Sequence, residues 1–277
     1  MFIRVGYDIV LDFPAPTTMT LLLHVLPEFE QYLRAPERLV VEPIVPVSEF
    51  IDSFGNHCAR LVAPAGKFRM HNDTVIEHSG GTEPEFPDAK QHSVDELPTE
   101  CLQFLLPSRY CEVDRFNQIG EELFGKTAPG WARVSAIRDW VHSNVEFGYQ
   151  YASNTKTAWD VFHDRKGVCR DFTHLAITLC RVMGIPARYA TGYLGDIGIP
   201  PVDCPMDFSA CFQVYLGGRW HTWDARHPIR RIGWILMATG RDATDCAITT
   251  TFGLHTLEKF QVWADEVPTP ELTVAKV

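Results

Sequence analysis

The sequence predicts an α+β protein, with a β-rich N-terminal domain over residues 1–113 and a domain of helices packed on an antiparallel sheet over residues 114–277. Two observations indicate this class. In residues 2–76, short runs rich in Val, Ile, Leu and Phe alternate with turn residues, as antiparallel strands do. From residue 131, apolar residues recur at steps of three and four, as in amphipathic helices, and strand patterns return after residue 187.

Turn residues divide the first domain into short strands. They include Pro14-Ala15-Pro16, Pro43, Pro46, Phe54-Gly55-Asn56 and Pro64-Ala65-Gly66. Their spacing predicts a sandwich or a barrel-like sheet. Residues 79–100 lose this pattern, so we expect a long loop there and a domain boundary near residues 107–114.

The second domain begins with helices and ends with strands. Helices are predicted over residues 131–145, briefly over 157–163, and from Cys169 to Met183, where Gly184 and Pro186 are stop signals. Residues 187–193 are predicted to form a strand. Residues 208–225 are predicted to form a hairpin, because the Gly217-Gly218 pair can adopt positive φ.

Composition excludes several functional classes. The 277 residues carry 25 Lys and Arg against 35 Asp and Glu, a net charge of −10 without a basic cluster, which argues against nucleic acid or an anionic membrane as partner. No apolar run approaches the length of a membrane span, and the N-terminus does not resemble a signal peptide. The eight cysteines lack a C-x-x-C pair. We therefore expect a soluble, cytoplasmic protein with reduced thiols, no metal and no cofactor, whose oligomeric state stays open.

Cys169 is the candidate nucleophile. It lies at the predicted start of a helix, where unpaired N–H groups and the helix dipole favour a thiolate, and Arg170 adds positive charge. Asp171 is expected to cap this helix or to pair with Arg170 or Arg188. A buried packing role for Cys169 is the alternative that position alone leaves open.

Three motifs over about residues 155–230 resemble the transglutaminase-like superfamily, and more narrowly its bacterial cysteine-protease-like members with a β-rich N-terminal region. The motifs are Gly167-Val168-Cys169-Arg170-Asp171-Phe172-Thr173-His174-Leu175, Met183-Gly184-Ile185-Pro186-Ala187-Arg188-Tyr189, and Trp220-His221-Thr222-Trp223-Asp224-Ala225-Arg226. The resemblance implies a papain-like core, with Cys169 as nucleophile and Asp224 as the acid that orients a histidine base.

The histidine of that pattern is missing. Where the family has Asp-Phe-His-Ala-Trp-Phe-Glu, this chain has Asp207-Phe208-Ser209-Ala210-Cys211-Phe212-Gln213. A serine hydroxyl cannot take the thiol proton near neutral pH as an imidazole can. A two-residue turn at Gly217-Gly218 would place Cys211 opposite Asp224 and Ser209 on the same face of the hairpin. We therefore expect Ser209 and Cys211 to line the substrate site, although simple packing is the favoured role for Cys211.

His227 is the first candidate for a replacement base, because it lies just past the strand and can fold back toward Ser209. His221 has the opposite strand parity to Asp224 and should face away from it. His174 lies about 140° round the helix from Cys169, which favours a structural role.

Three functions follow from these residues. The favoured one is acyl transfer or amide and peptide hydrolysis through a Cys169 acyl-enzyme, with Asp224 and His227 as the other catalytic residues and a peptide or protein as substrate. The second is a catalytically degenerate module that binds peptides or protein partners, because Ser209 replaces the histidine. A metal site formed by Cys169, Cys211, Asp224 and a histidine is the weakest of the three.

Overall fold

A computed structural model describes residues 1–200, 205–227 and 229–268 of the chain. These residues form three four-stranded antiparallel sheets, a two-stranded parallel sheet and a set of helices. The prediction of an α+β class is confirmed. No helix among the described residues is both long and apolar enough to cross a lipid bilayer.

The N-terminal third is mainly β-structure, as predicted. Its elements are β1 (Phe2–Phe13), β2 (Thr17–Leu21), α1 (Pro27–Glu30), β3 (Val40–Glu42), β4 (Ser48–Ile51), β5 (His57–Ala63) and β6 (Gly66–Glu77). Along β6, every second residue from Phe68 to Ile76 is buried, which is the alternation expected of strands with one face in a core. Residues 79–93 contain no helix or longer strand, in agreement with the predicted loop, whereas the rest of that loop, to residue 100, includes a 3-10 turn at Val94–Glu96 and the start of a short helix at Thr99.

The remaining elements run from the short helix α2 to the C-terminal strands. Helices are α2 (Thr99–Leu102), α3 (Asn117–Phe124), α4 (Trp131–Asn144), α5 (Ala158–Asp164) and α6 (Cys169–Val182). Strands are β7 (Glu146–Phe147), β8 (Lys166–Gly167), β9 (Ala187–Tyr193), β10 (Ser209–Leu216), β11 (Arg219–Trp223), β12 (Ile235–Gly240), β13 (Thr249–Thr251) and β14 (Thr256–Val267). The predicted positions of α4, α5, α6 and β9 are confirmed within two residues.

The chain returns to its N-terminal sheets at its C-terminal end. One sheet has the order β14-β1-β6-β3 and the second has the order β13-β2-β5-β4. Strand β14 pairs with β1 along its length, from Phe2 opposite Val267 to Asp12 opposite Thr256. The sequence prediction assigned residues 249–267 to the second domain, and no local signal indicates this pairing because the partners are about 250 residues apart.

The third sheet, with the order β11-β10-β9-β12, supports the site. Helix α6 packs on one face of β9 and β10. Its apolar side chains form one core with the alternate residues of β10 that point to this face, which are Ala210, Phe212, Val214 and Leu216. The predicted turn between β10 and β11 is confirmed: Leu216 pairs with Arg219, and Gly217 and Gly218 have φ of 57° and 86°.

Asn56 joins an N-terminal sheet to the sheet that carries the site. This fully buried side chain accepts a hydrogen bond from the backbone N–H of Thr239 (2.8 Å) and donates one to the carbonyl of the same residue (2.9 Å). Its amide therefore pairs with the free edge of β12 as a neighbouring strand would, and satisfies two buried backbone groups.

We predict that Asn56→Ala lowers the free energy of unfolding by about 2–4 kcal/mol, because the N–H and carbonyl of Thr239 lose their buried partner. Urea unfolding followed by tryptophan fluorescence measures the change. Asn144→Ala is the matched control, because this exposed side chain bonds only within α4, to the carbonyl of Trp140. Equal destabilisation by the two substitutions would contradict a bridging role for Asn56.

Candidate active site

Cys169 is the first residue of α6, and the chain before it fixes this position. Strand β8 ends at Gly167, where a Cβ would lie 2.6 Å from the Cβ of Asp171, so only glycine lets the chain approach the helix this closely. The buried carboxylate of Asp171 accepts a hydrogen bond from the backbone N–H of Val168 (2.9 Å) and one from Arg170 (3.3 Å). Asp171 thus caps the helix, as predicted, and holds Cys169 at its N-terminus.

The half-buried thiol of Cys169 lies in a cleft of about 770 Å³ whose lining includes Tyr110, Tyr149 and Tyr189. Burial raises the pKa of this thiol above its ordinary value. The backbone N–H groups of Ala210 and Arg170 and the charge of Arg226 act in the opposite direction, whereas the carboxylate of Asp207 adds to the increase.

This balance corrects the expectation that the helix N-terminus and Arg170 would lower the pKa of Cys169. Loss of hydration in the cleft outweighs the N–H groups of the helix. The positive charge that lowers the pKa of Cys169 is that of Arg226. The guanidinium of Arg170 instead donates to the carbonyl of Ser153 and to Asp171.

Asp224 and His227 form a hydrogen-bonded pair at the end of β11. One carboxylate oxygen of Asp224 accepts from the backbone N–H groups of Arg226 (2.8 Å) and His227 (3.1 Å), which folds the chain into a tight turn. The other oxygen lies 2.6 Å from Nδ1 of His227. Because a carboxylate can only accept, Nδ1 carries the hydrogen and Nε2 has the lone pair.

Arg231 occupies the other side of the imidazole. Its Nη1 donates to Nε2 of His227 at 3.0 Å, while Nη2 donates to the carbonyl of Gly195 (2.7 Å) and to Asp196 (3.1 Å). In this conformation the lone pair of Nε2 is therefore engaged. Sequence reasoning missed Arg231, because no motif connects it to the quoted pattern.

Ser209 and His227 line one cavity of about 340 Å³, together with Arg226 and Arg231. Tyr149 and Asp207 belong both to this cavity and to the cleft of Cys169, so the two spaces are neighbours. The fold therefore gathers near the thiol both the serine that replaces the family histidine and the histidine that we ranked first as its substitute.

Cys211 is not at the surface of this site. It is fully buried in a small apolar cluster with Leu26, Ala190 and Trp234, and it lines neither of the two cavities. The expectation that Cys211 contacts substrate is thus corrected, and the packing role that was favoured for it is what the structure shows. The physical reason is that Leu26 and Trp234 cover the face of β10 on which Cys211 lies.

Two other histidines have structural partners. His221 is buried, bonds the carbonyl of Leu216 (3.1 Å) and packs edge-on against Trp131. His174 is buried against Tyr110 and accepts a hydrogen bond from the N–H of Ala243 (3.1 Å), and burial lowers its pKa. Neither is placed as a base for Cys169.

His142 on α4, far from the site in sequence, holds the turn that follows β11. Its Nδ1 lies 2.8 Å from the carbonyl of Arg226 and donates to it, which ties the turn of Asp224 and His227 to the helical layer. The sequence gives no signal for this contact, because α4 and the turn are 84 residues apart.

Among the described residues, the set proposed from the sequence as a metal site, with Cys169, Cys211 and Asp224, does not converge. The group of potential ligands that does converge among those residues is His24, Glu49 and His57, in the N-terminal third of the chain.

The chain is similar to known proteins in three respects. Residues 117–225 match the model of the transglutaminase-like superfamily core. An uncharacterized protein of Mycobacterium leprae is 28% identical over 221 residues, covering 76% of this chain and 77% of that protein. The crystal structure of a putative cysteine protease from Cytophaga hutchinsonii is 33% identical, covers 98% of this chain and 92% of its own, and superposes with a TM-score of 0.81.

The motifs around Cys169 and Asp224, the match of the family model and the full-length structural similarity lead to one conclusion. The chain belongs to the transglutaminase-like superfamily.

Proposed function

We propose that the protein is a cysteine-dependent amide or peptide hydrolase, with Cys169 as nucleophile and the Asp224–His227 pair as the source of the base. The observation that carries the proposal is the 2.6 Å contact between Asp224 and His227, whose side chain lines the cavity next to the cleft of Cys169. Similarity to the Cytophaga hutchinsonii protein, which is named a putative cysteine protease, supports the same chemistry.

The proposed reaction needs no cofactor. His227 takes the proton of the Cys169 thiol, and the thiolate attacks the carbonyl carbon of the amide. The carbon–nitrogen bond then breaks, the amine leaves with the proton held by His227, and a thioester to Cys169 remains. Water, deprotonated by His227, hydrolyses the thioester to a carboxylic acid and restores the thiol. Asp224 keeps the imidazole in the tautomer that this cycle requires.

Arg231 must release His227 in this cycle. Its donation to Nε2 occupies the lone pair that would accept the thiol proton. The guanidinium retains two other acceptors, the carbonyl of Gly195 and the carboxylate of Asp196, so it can give up His227 without becoming unpaired. Rotation of the imidazole toward the cleft is then the step that assembles the nucleophile and base.

The backbone amides near Sγ of Cys169 can bind the negative charge that forms during the reaction. The backbone N–H groups of Ala210 and Arg170 already lower the pKa of the thiol, and they are positioned to stabilise negative charge during the reaction. Water is proposed as the acceptor on the basis of the protease similarity, and transfer to an amine is the variant of the same chemistry that the first experiment below distinguishes.

A non-catalytic binding module is the second candidate, and specific observations favour it. Ser209 lies where the family has histidine, Arg231 engages Nε2 of His227, and burial raises the pKa of Cys169. Such a protein would retain the cleft as a site for peptides or protein segments without turning them over.

A reducing compartment such as the cytoplasm is the proposed location. Cys58, Cys101, Cys111, Cys169, Cys180, Cys211 and Cys246 are free thiols, and Cys204 lies outside the described residues. Free thiols persist where the cellular thiol pool is reduced.

The first prediction concerns turnover. Cys169→Ala should abolish hydrolysis of a fluorescently labelled casein, and His227→Ala should reduce it by roughly 10²–10⁴-fold, the usual effect of losing a general base. Incorporation of a fluorescent primary amine into casein, measured in parallel, reports transfer instead of hydrolysis.

His163→Ala is the matched control, because this exposed histidine bonds only the carbonyl of Trp159 on its own helix. It should leave the rate unchanged. Retained turnover in Cys169→Ala would contradict the mechanism, and no turnover of either kind in the unmodified protein would move the assignment to the binding module.

The second prediction concerns the reactivity of the thiol. Asp207→Asn should speed the alkylation of Cys169 by iodoacetamide severalfold at pH 7.5 or so, because removal of a negative charge lowers the pKa of the thiol and raises the thiolate fraction. Arg226→Gln should slow it for the opposite reason. In each protein the rate should increase as the pH rises toward the pKa. Peptide mass mapping of the alkylated protein measures the rate at Cys169.

Asp73→Asn and Arg4→Gln are the controls, because these exposed side chains pair with each other on β6 and β1, away from the cleft of Cys169. Changes of the same sign for Asp207→Asn and Arg226→Gln would exclude the charge balance described for Cys169.

The third prediction separates a relocated base from a lost one. Ser209→His should bring no gain in turnover if His227 is the base, because Asp224 already orients His227 and both positions line one cavity. In a His227→Ala background the same change should restore part of the activity. A large gain from Ser209→His alone, measured by casein hydrolysis, would show that the natural protein lacks a base.

A further inference from the structure

A second cluster of reactive side chains lies in the N-terminal domain, outside the site described above. His24 follows β2, Glu49 lies on β4 and His57 begins β5. In the β4–β5 hairpin, Ile51 pairs with His57 and Glu49 with Ala59, so Glu49 and His57 share one face. His24 reaches the same place, and the ring of His24 stacks on that of His57 with centroids 4.2 Å apart.

Each imidazole is held on its Nδ1 side by a separate carboxylate. Glu37 lies 3.3 Å from Nδ1 of His24 and also accepts from the backbone N–H of Val25 at 3.2 Å. Glu30 lies 3.5 Å from Nδ1 of His57. For His24, a carboxylate behind Nδ1 is the arrangement that orients metal-binding imidazoles, because it leaves the lone pair on Nε2.

Both Nε2 atoms face Glu49. Nε2 of His24 lies 3.8 Å from one oxygen of Glu49, and Nε2 of His57 donates a hydrogen bond of 3.4 Å to the other, a proton that a bound metal would replace. Nε2 of His24 is buried and makes no hydrogen bond, and only 5% of this side chain is exposed. The lone pair on Nε2 of His24 and the Glu49 oxygen that it faces are both hydrogen-bond acceptors. A cation between these two atoms would stabilise their arrangement.

The spacing fits a transition-metal ion. Tetrahedral coordination with bonds of about 2.1 Å separates ligand atoms by roughly 3.4 Å. The two nitrogen-to-oxygen separations, 3.4 and 3.8 Å, are close to this value, and one ligand atom from each of the three side chains lies within 4.8 Å of the others. Binding then requires the half-exposed ring of His57 to tilt away from its parallel stack.

We propose that His24, Glu49 and His57 bind a divalent transition-metal ion of the zinc class. Two imidazoles and one carboxylate are a ligand set that suits Zn²⁺, and the fourth position would face a cavity of about 620 Å³ that these three residues line with Glu30 and Glu37. The ion would tie the segment after β2 to the β4–β5 hairpin and neutralise the surrounding carboxylates.

Two protonated histidines would neutralise the carboxylate of Glu49 less favourably than one metal ion would. Two imidazolium rings stacked at 4.2 Å would repel each other, whereas one metal ion satisfies both nitrogens with a single centre of charge. The stacked geometry therefore disfavours two imidazolium rings, and the atom left for a metal to satisfy is the buried, unpartnered Nε2 of His24.

Titration of the full-length, chelator-treated protein with Zn²⁺ by calorimetry tests the site. We expect one ion per chain, a higher Tm in its presence, and affinity at least 10–100-fold weaker in Glu49→Gln and in His57→Gln. Glu49 is half-exposed and Gln has its shape, so circular dichroism should show an unchanged fold. Glu258→Gln and His163→Gln are the controls and should bind as the unmodified protein does.

Cobalt substitution distinguishes this site from the thiols. Co²⁺ bound by His24, Glu49 and His57 should give the visible absorption of a tetrahedral nitrogen and oxygen site without the sulfur-to-cobalt charge-transfer band that a cysteine ligand produces. The proposal is overturned if that band accompanies binding and disappears in Cys169→Ala, if Glu49→Gln binds Zn²⁺ as tightly as the unmodified protein, or if no ion binds.

Discussion

The hydrogen bonds of Asp224 are the constraint on which the site depends. One carboxylate oxygen folds the three residues that follow it into a turn, and the other holds Nδ1 of His227. Asp224 occupies this position because the Gly217-Gly218 turn fixes the register of β10 and β11. A histidine just beyond a strand can thus reach the carboxylate that, in the family pattern, orients a histidine on the neighbouring strand.

The second fixed point is the N-terminus of α6. The cap formed by Asp171 and the close approach of Gly167 place Cys169 at the helix start, and the core between α6 and β10 brings the N–H of Ala210 to its sulfur. Ala210 and Ser209 are successive residues on β10, so their side chains lie on opposite faces. One strand thus supplies an amide to the thiol and a serine to the neighbouring cavity.

The surroundings of the Cys169 thiol disfavour its thiolate form in this conformation. Burial and Asp207 raise the pKa of Cys169, whereas Arg226 and the N–H groups lower it. On the other side of the dyad, Arg231 holds the lone pair of His227. These contacts restrain both the nucleophile and the base of the proposed mechanism, which line adjacent cavities. Displacement of Arg231, rather than a new residue, is the change that joins them in the proposed mechanism.

The sequence by itself determined the α+β class, the helix that begins at Cys169 and the hairpin register, and it ranked His227 first as a replacement base, because each depends on residues within about 20 positions of one another. Only the tertiary structure decided the rest. It placed Arg231 on His227, buried Cys211 beneath Leu26 and Trp234, and raised the pKa of Cys169 through loss of hydration. It also returned β14 to β1 and gathered His24, Glu49 and His57. These features arise from packing between segments that are distant in sequence or from solvent exclusion, and neither leaves a local pattern of residues.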